Sequence, residues 1–260
     1  MVLKTLTIGG SDTWGGGGIQ TDLRTFEQLD VFGLSVLTCL AVEAADDFVI
    51  RPLPVALVEE QLQTIERNFE LAGVKIGLLA DLETVSLVQD FCQRNQGRFP
   101  IILDPVMAFK ETKDALQRDY IEKIKALFPY VDLITPNRRE AQFLSGIEEL
   151  TSAEELSFAT EQIAKKTGVK VLVTGGESGI DTYREGSITQ SFTGPISLKK
   201  TNHGAGCCFS SAICAHLAQG FSLIESIEKS KNHVYQSIEN GVIVGEAGNV
   251  WRPKTKKESV

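Results

Sequence analysis

The chain has no apolar run of the roughly 18 residues that a membrane-spanning helix needs, and Met1 to Ile8 leads into loop chemistry without the apolar centre of a signal peptide. No membrane association is expected, and the cytoplasm is the expected compartment. Cysteine is sparse: five residues in 260, an odd number with no CxxC pair. That pattern suits neither a disulfide framework nor a zinc ribbon, and fits reduced thiols. Positive charge is also short, with 26 Lys and Arg against 34 Asp and Glu for a net charge of -8, which argues against a nucleic-acid partner. The one basic run, in "KTKKESV", is short and lies beside Glu258, so it reads as part of a solvated, flexible tail over 251–260. Neither GxGxxG nor GxxxxGK[ST] occurs, which removes the dinucleotide fingerprint and the Walker phosphate loop.

What is present describes a globular protein: 42% hydrophobic residues, 23% charged residues and 23 glycines. No linker or fixed-period repeat interrupts it, so residues 1–260 read as one domain. Short apolar runs at Leu3 to Ile8, Leu34 to Val42, Val74 to Leu79, Ile101 to Leu103, Val131 to Thr135 and Val169 to Thr174 read as strands of a sheet covered on both faces. Between them Ile19, Leu23 and Phe26, then Leu57, Leu62, Ile65 and Phe69, then Leu116, Ile121, Ile124 and Leu127 recur at helical spacing. Strand-helix-strand alternation predicts a three-layer αβα, doubly wound, mostly parallel sheet. Its ligands bind beyond the carboxyl ends of the strands.

Those ends are rich in glycine, acids and small residues. In "GGSDTWGGGG" after the first strand, Gly15 to Gly18 either let backbone approach a ligand or form a flexible turn. In "DPVM", Asp104 is either a metal ligand or turn chemistry before proline. In "TPNRRE", Asn137 and Glu140 have the spacing of a helix N-cap and its reciprocal partner, a role compatible with magnesium binding because the first helical turn still faces the crevice. "VLVTGG" is either a phosphate-side turn, with Thr174, Gly175 and Gly176 offering amides, or a hairpin turn. The alternation that follows it, with Asp181, predicts an antiparallel hairpin extending the sheet.

"NHGAGCCFSSAI", Asn202 to Ile213, is the most informative stretch. Gly204, Ala205 and Gly206 leave amides uncovered at the start of a helix whose apolar face is Phe209, Ile213 and Leu217, which makes a pocket for an anion. Cys207 lies in the first turn, where the helix field is expected to lower its pKa and let it accept a proton. A metal site built from His203, Cys207, Cys208, Cys214 and His216 is the competing reading. It suffers because adjacent helical residues point about 100° apart. Packing is expected for Cys208, Cys214, Cys39 and Cys92. An anion pocket, a proton acceptor and crevice carboxylates together describe phosphoryl transfer.

The ordered set "TIGGSDTWGGGGIQTDLRTF", "DPVM", "LITPNRREAQFLSG", "VLVTGG" and "HGAGC" resembles the hydroxymethylpyrimidine kinase and pyridoxal kinase branch of the ribokinase-like superfamily, over about Leu3 to Gly220. The resemblance implies an ATP-dependent kinase with Cys207 as base and Gly204, Ala205 and Gly206 around the transferring group. It implies Asp104 and Glu140 toward Mg2+, and Asn137, Thr174, Gly175, Gly176 and Asp181 toward ATP. Asp12, Gly17, Glu43, Leu78, Val106 and His203 would face the vitamin, the helix around Asn232 to Glu239 would close over adenine, and a homodimer is implied.

Several residues depart from the pattern. Pyrimidine kinases of this branch carry glutamine where "LAVEAAD" has Glu43, and a carboxylate, lacking a donor, favours a protonated or hydroxyl-bearing ring. Ile76 and Leu78 replace a threonine and a methionine, and Phe109 and Glu111 replace small residues. Glu43 points to phosphorylation of vitamin B6 (pyridoxal, pyridoxine, pyridoxamine), and the other exchanges imply an altered ring pocket. The alternatives are a hydroxymethylpyrimidine or phosphomethylpyrimidine kinase of thiamine biosynthesis and a non-catalytic vitamin or nucleotide sensor. A sugar kinase of the same superfamily would more usually carry aspartate in place of Cys207.

Overall fold

The structure is a computed structural model that describes residues 2–44, 47–107 and 114–253. Its main sheet contains β1 (Lys4–Asp12), β2 (Phe32–Ala44), β3 (Asp47–Pro52), β4 (Gly73–Ile76), β5 (Ile101–Leu103), β6 (Leu133–Ile134), β7 (Val171–Val173), β8 (Ile180–Glu185) and β9 (Ile188–Thr193). They lie in the order β3-β2-β1-β4-β5-β6-β7-β8-β9. The strands from β2 to β7 in that order run parallel. β3 pairs antiparallel with β2 at one edge, and β8 and β9 close the other edge antiparallel. The mostly parallel sheet and the expected hairpin after "VLVTGG" are therefore both present.

The helices are α1 (Gly18–Gln28), α2 (Val55–Asn68), α3 (Leu82–Asn95), α4 (Asp114–Lys125), α5 (Arg138–Ser145), α6 (Ala153–Thr167), α7 (Ala205–Ala218) and α8 (Leu223–Glu239). Strand side chains alternate between two cores, as the period of two demands. Ile101, Leu103, Ile134, Val171 and Val173 pack with α2 to α6, whereas Ile102, Leu133 and Leu172 pack with Phe26 of α1, Phe209 and Ile213 of α7 and Ile227 of α8. α7 is buried from Cys208 to His216, flanked by α1, α8 and the sheet. Each fully buried Val, Leu, Ile or Phe contributes about 1.5–3 kcal/mol. A small hairpin, β10 (Val242–Val244) with β11 (Ala247–Asn249), follows α8.

The chain order reverses at β1, whose neighbours are β2 on one side and β4 on the other, so the crevice opens at the carboxyl ends of β1 and β4. Of the six expected strands only Ile101–Leu103 keeps its bounds: β2 is longer at both ends, β6 and β7 are shorter, and β1 and β4 differ at the ends that face the crevice. β1 continues through a bulge at Gly9 and Gly10 to Asp12 because β2 keeps offering partners as far as Ala41. β4 stops at Ile76, since the ladder with β1 ends at the Ile8 pair, with the Gly77 amide donating the last bond to Ile8 O at 2.8 Å. Four helix starts carry a side-chain cap: Asp81 for α3, and reciprocal boxes for α5, α6 and α8. α1 and α7 instead begin at the glycines Gly17 and Gly204, without one.

Candidate active site at the carboxyl edge of the sheet

Asp12, at the end of β1, organises the glycine loop. Its Oδ2 accepts from Gly16 N at 3.0 Å and Gly17 N at 2.8 Å, and its Oδ1 accepts from Trp14 N at 2.9 Å. His203 Nε2 stands 3.1 Å from the same Oδ2. Burial pushes the Asp12 carboxyl up, but His203 and the loop amides outweigh it and hold the group down at about 2. Asp12, Gly17 and His203 are thus brought together. Thr21 Oγ1 donates to Gly16 O at 2.8 Å and Arg24 Nη1 to Gly15 O at 2.6 Å, so α1 fixes the loop from behind.

The turn before α7 docks against this loop backbone to backbone. Gly204 has φ +84°, and a Cβ there would fall 1.9 Å from Gly16 O, so both the conformation and the contact require glycine. Ala205 N donates to Asn202 O at 3.0 Å, which assigns that amide to holding the turn. Ala205 and Gly206 face the large cavity described below.

Cys207 is the partly exposed cysteine of the five, while Cys39, Cys92, Cys208 and Cys214 are buried as expected. The Gly18 amide at the start of α1 acts on the Cys207 sulfur and favours its thiolate, so the uncapped ends of α1 and α7 meet there. The expected lowering of its pKa is not what the site produces. Burial of the sulfur, opposed by Lys75 and the Gly18 amide and reinforced by Asp22 and Asp104, leaves the thiol pushed up to about 12. Desolvation of a thiolate among carboxylates exceeds the effect of one helix end.

Asp104, just beyond β5, and Glu140, in the first turn of α5, are both only 6% exposed. The capping reading of "NRRE" holds: Asn137 Oδ1 accepts from Glu140 N at 3.0 Å and Glu140 Oε2 from Asn137 N at 2.8 Å. Glu140 Oε1 is left with a long bond of 3.4 Å from Met107 N. Burial and the Asp104 charge together push Glu140 up to about 8, while Asp104 itself is raised by burial and by Asp22 against the opposing pull of Lys75. Two desolvated carboxyls, one of which raises the other, fit a hard divalent cation completed by phosphate oxygens, as magnesium is usually held. Among the described residues no group of three or more His, Cys, Asp and Glu is arranged around a metal, which closes the His203 and cysteine alternative.

Beside the start of α7 lies a cavity of about 370 Å³. Asn137, Thr174, Gly176 and Asp181 line one side, and Lys231, Val234, Tyr235 and Ile238 of α8 line the other. Gly175 stands behind them, its amide donating to Asp181 Oδ1 at 2.9 Å. Asp181 Oδ2 holds Lys231 Nζ at 2.6 Å, tying α8 to the sheet.

The remaining expected residues rim the crevice. Leu78 packs near Gly10, within 3.5 Å of where a Cβ would project. Val106 is half-buried next to the Asp104 turn, and Glu43 is exposed near the end of β2, two residues beyond Ala41, the register partner of Asp12. Phe109 and Glu111 lie outside the described residues. The residues that sequence reasoning missed are Asp22, Lys75, Ser210, Ser211 and Lys231. One signal was available, a lysine inside the apolar run "VKIGLL".

Comparison with known proteins gives the family and the fold. The phosphomethylpyrimidine kinase family matches residues 12–251. A hydroxymethylpyrimidine/phosphomethylpyrimidine kinase of Aquifex aeolicus is 35% identical over 246 residues, covering 92% of this chain and 96% of that protein. The ADP complex of Bacillus subtilis pyridoxal kinase superposes with a TM-score of 0.90 at 28% identity, over 97% of this chain and 98% of that one. Staphylococcus aureus pyridoxal kinase in complex with AMP-PCP and pyridoxal gives 0.87 at 31% identity, over 96% and 93%. This chain belongs to the phosphomethylpyrimidine kinase family and is a phosphotransferase with an alcohol acceptor.

Proposed function

We propose that the chain transfers the γ-phosphoryl group of ATP to the hydroxymethyl group of vitamin B6. The observation that carries this reading is the position of the α7 start. Ala205 and Gly206 line the large cavity, Gly204 packs on the glycine loop, and Cys207 lies between them. A nucleotide in the cavity and an alcohol at the loop would meet at one pair of uncapped amides, Gly206 and Cys207.

In this mechanism Asn137, Thr174, Gly176 and Asp181 border ATP, and α8 covers the base. The acceptor sits against Asp12, Gly17, His203, Leu78 and Val106, near Glu43. Cys207 takes the proton of the hydroxyl as its oxygen attacks in line, and the α7 amides offset the charge on the moving phosphoryl group. Asp104 and Glu140 would hold Mg2+, which would supply positive charge against the phosphates. B6 is favoured over the pyrimidine because Glu43 has no donor for an aminopyrimidine acceptor nitrogen. The pyridoxal-bound relative of the same fold supports it.

The second reading, a hydroxymethylpyrimidine or phosphomethylpyrimidine kinase, draws on relatives so named. ADP release measured with pyridoxal, pyridoxine, pyridoxamine, hydroxymethylpyrimidine and its monophosphate separates the two. The expected result is the highest kcat/KM with a B6 compound. Turnover confined to the pyrimidines would replace the B6 reading, and no release with any acceptor would leave a sensor.

A further inference from the structure

Against the face of α7 that carries Cys207 lies a charge that the mechanism above does not use. Lys75 of β4 is 1% exposed, and its Nζ is held by Asp22 Oδ1 at 3.0 Å and Asp22 Oδ2 at 2.9 Å, and stands 3.9 Å from Asp104 Oδ2. Its ammonium lies against Gly77, where a Cβ would come within 2.9 Å of Nζ. Thr7 of β1 donates to Asp22 Oδ2 at 2.6 Å and completes the anchor.

The other wall of this cluster is α7. Ser210 and Ser211 follow Cys207 by three and four residues, so all three share a helix face. Ser211 donates to Asp22 Oδ1 at 2.7 Å and Ser210 to Asp104 Oδ2 at 3.2 Å. The face that carries the thiol is therefore seated on Asp22, Lys75 and Asp104. A buried ion is costly to desolvate, and packing alone would be served as well by an apolar side chain of similar length.

We infer that Lys75 is a positioning residue for phosphoryl transfer: its fixed positive charge, anchored by Asp22, biases the Cys207 sulfur toward the thiolate that takes the acceptor's proton. This rests on the proposed role of Cys207. The charged groups acting on that sulfur come from three elements: Lys75 on β4 favours the thiolate, while Asp22 on α1 and Asp104 after β5 oppose it. Removing Lys75 and removing Asp22 must then act in opposite directions.

The test is the rate of Cys207 alkylation by iodoacetamide at pH 9 without nucleotide, with the modified residue identified by mass spectrometry. Lys75→Met is expected to slow it about tenfold or more, and Asp22→Asn to speed it by a similar factor, since one pKa unit is a tenfold change in thiolate. The double variant Lys75→Met/Asp22→Asn, with both charges gone, should fall between the single variants. Rates that rise in both single variants would mean that loosening of the cluster, not charge, controls the thiol, and would overturn the inference. So would a Lys75→Met rate within twofold of the parent. If Lys75→Met does not fold, Asp22→Asn and the double variant decide: a fast single variant slowed in the double supports the inference, and equal rates overturn it. Alkylation needs no phosphoryl transfer, so a chain that alkylates as expected yet releases no ADP would sink the kinase reading and leave the field of Lys75 standing.

Discussion

His203 Nε2 lies 3.1 Å from Asp12 Oδ2, joining two turns 191 positions apart in the chain. The same oxygen gathers the Gly16 and Gly17 amides, and Gly204, next to the histidine, rests on Gly16 O. The loop proposed to hold the acceptor and the turn proposed to hold the phosphoryl group are thus one packed unit. A shift in either displaces the other.

Asp12→Ala removes the acceptor of three loop amides. Each buried donor left unpaired costs about 1–3 kcal/mol, so the variant should unfold at lower urea and show a raised KM for the alcohol acceptor. Its pH dependence has a definite sign. Asp12 is held below its ordinary 3.8, at about 2, so its stabilisation is fully present above about pH 4 and is lost as pH falls through 2. The stability gap between Asp12→Asn and the parent should therefore narrow across that window. A gap independent of pH would show that Asp12 acts through shape alone.

Gly204→Ala places a methyl group where Gly16 O already lies and forces a left-handed conformation on alanine. The backbone must move, which misaligns the α7 amides. Loss of one well-placed donor lowers kcat about a hundredfold or more in comparable sites, and a drop of that order is expected with the fold retained by circular dichroism. Gly97→Ala, a left-handed glycine with open space around it, is the control and should retain activity.

These glycines also mark how much was legible in the sequence. The parallel strands, the helix at Phe209 and the crevice motifs could be read because each depends on local pattern: an apolar run, a helical period, a cap spacing. β3 escaped because "DFVIRP" is a short edge strand with charges and a proline, defined only by pairing with β2. The Lys75 cluster escaped because Asp22, Lys75 and Ser211 come from three distant segments. The reversed pKa of Cys207 follows from that cluster. A helix start is visible in sequence, whereas the carboxylates packed beneath it are not.

Cys207→Ala should lower kcat about 100- to 10,000-fold with little change in KM for ATP, as expected of a group that moves a proton in the transition state. Because burial pushes the thiol up to about 12, thiolate is scarce at neutral pH. Activity of the parent should climb steadily from pH 7 to 9 without a plateau. Full activity in the alanine variant would remove the thiol from the mechanism.

Asp104→Asn and Glu140→Gln test the cation site. Each removes one of the two buried carboxylates proposed to hold the cation, so each should increase the Mg2+ concentration needed for half-maximal rate, by about tenfold or more. Glu140→Gln also weakens the reciprocal cap with Asn137, which is worth about 1 kcal/mol, so a modest loss of thermal stability should accompany it. Asp104→Asn touches no cap and should shift the metal requirement without that loss.

Glu43→Gln bears on the choice of acceptor. Glu43 is exposed and paired with Phe48 across the β2-β3 edge, so exchanging its carboxylate for an amide of the same shape disturbs no buried contact. The amide adds a donor that the carboxylate lacks, and an aminopyrimidine presents ring nitrogens that accept from it. One such bond is worth about 0.5–1.5 kcal/mol, so kcat/KM for hydroxymethylpyrimidine should rise roughly 2- to 13-fold relative to pyridoxal. An unchanged ratio would place acceptor choice elsewhere on the rim, with Leu78 and Val106 the next residues to exchange.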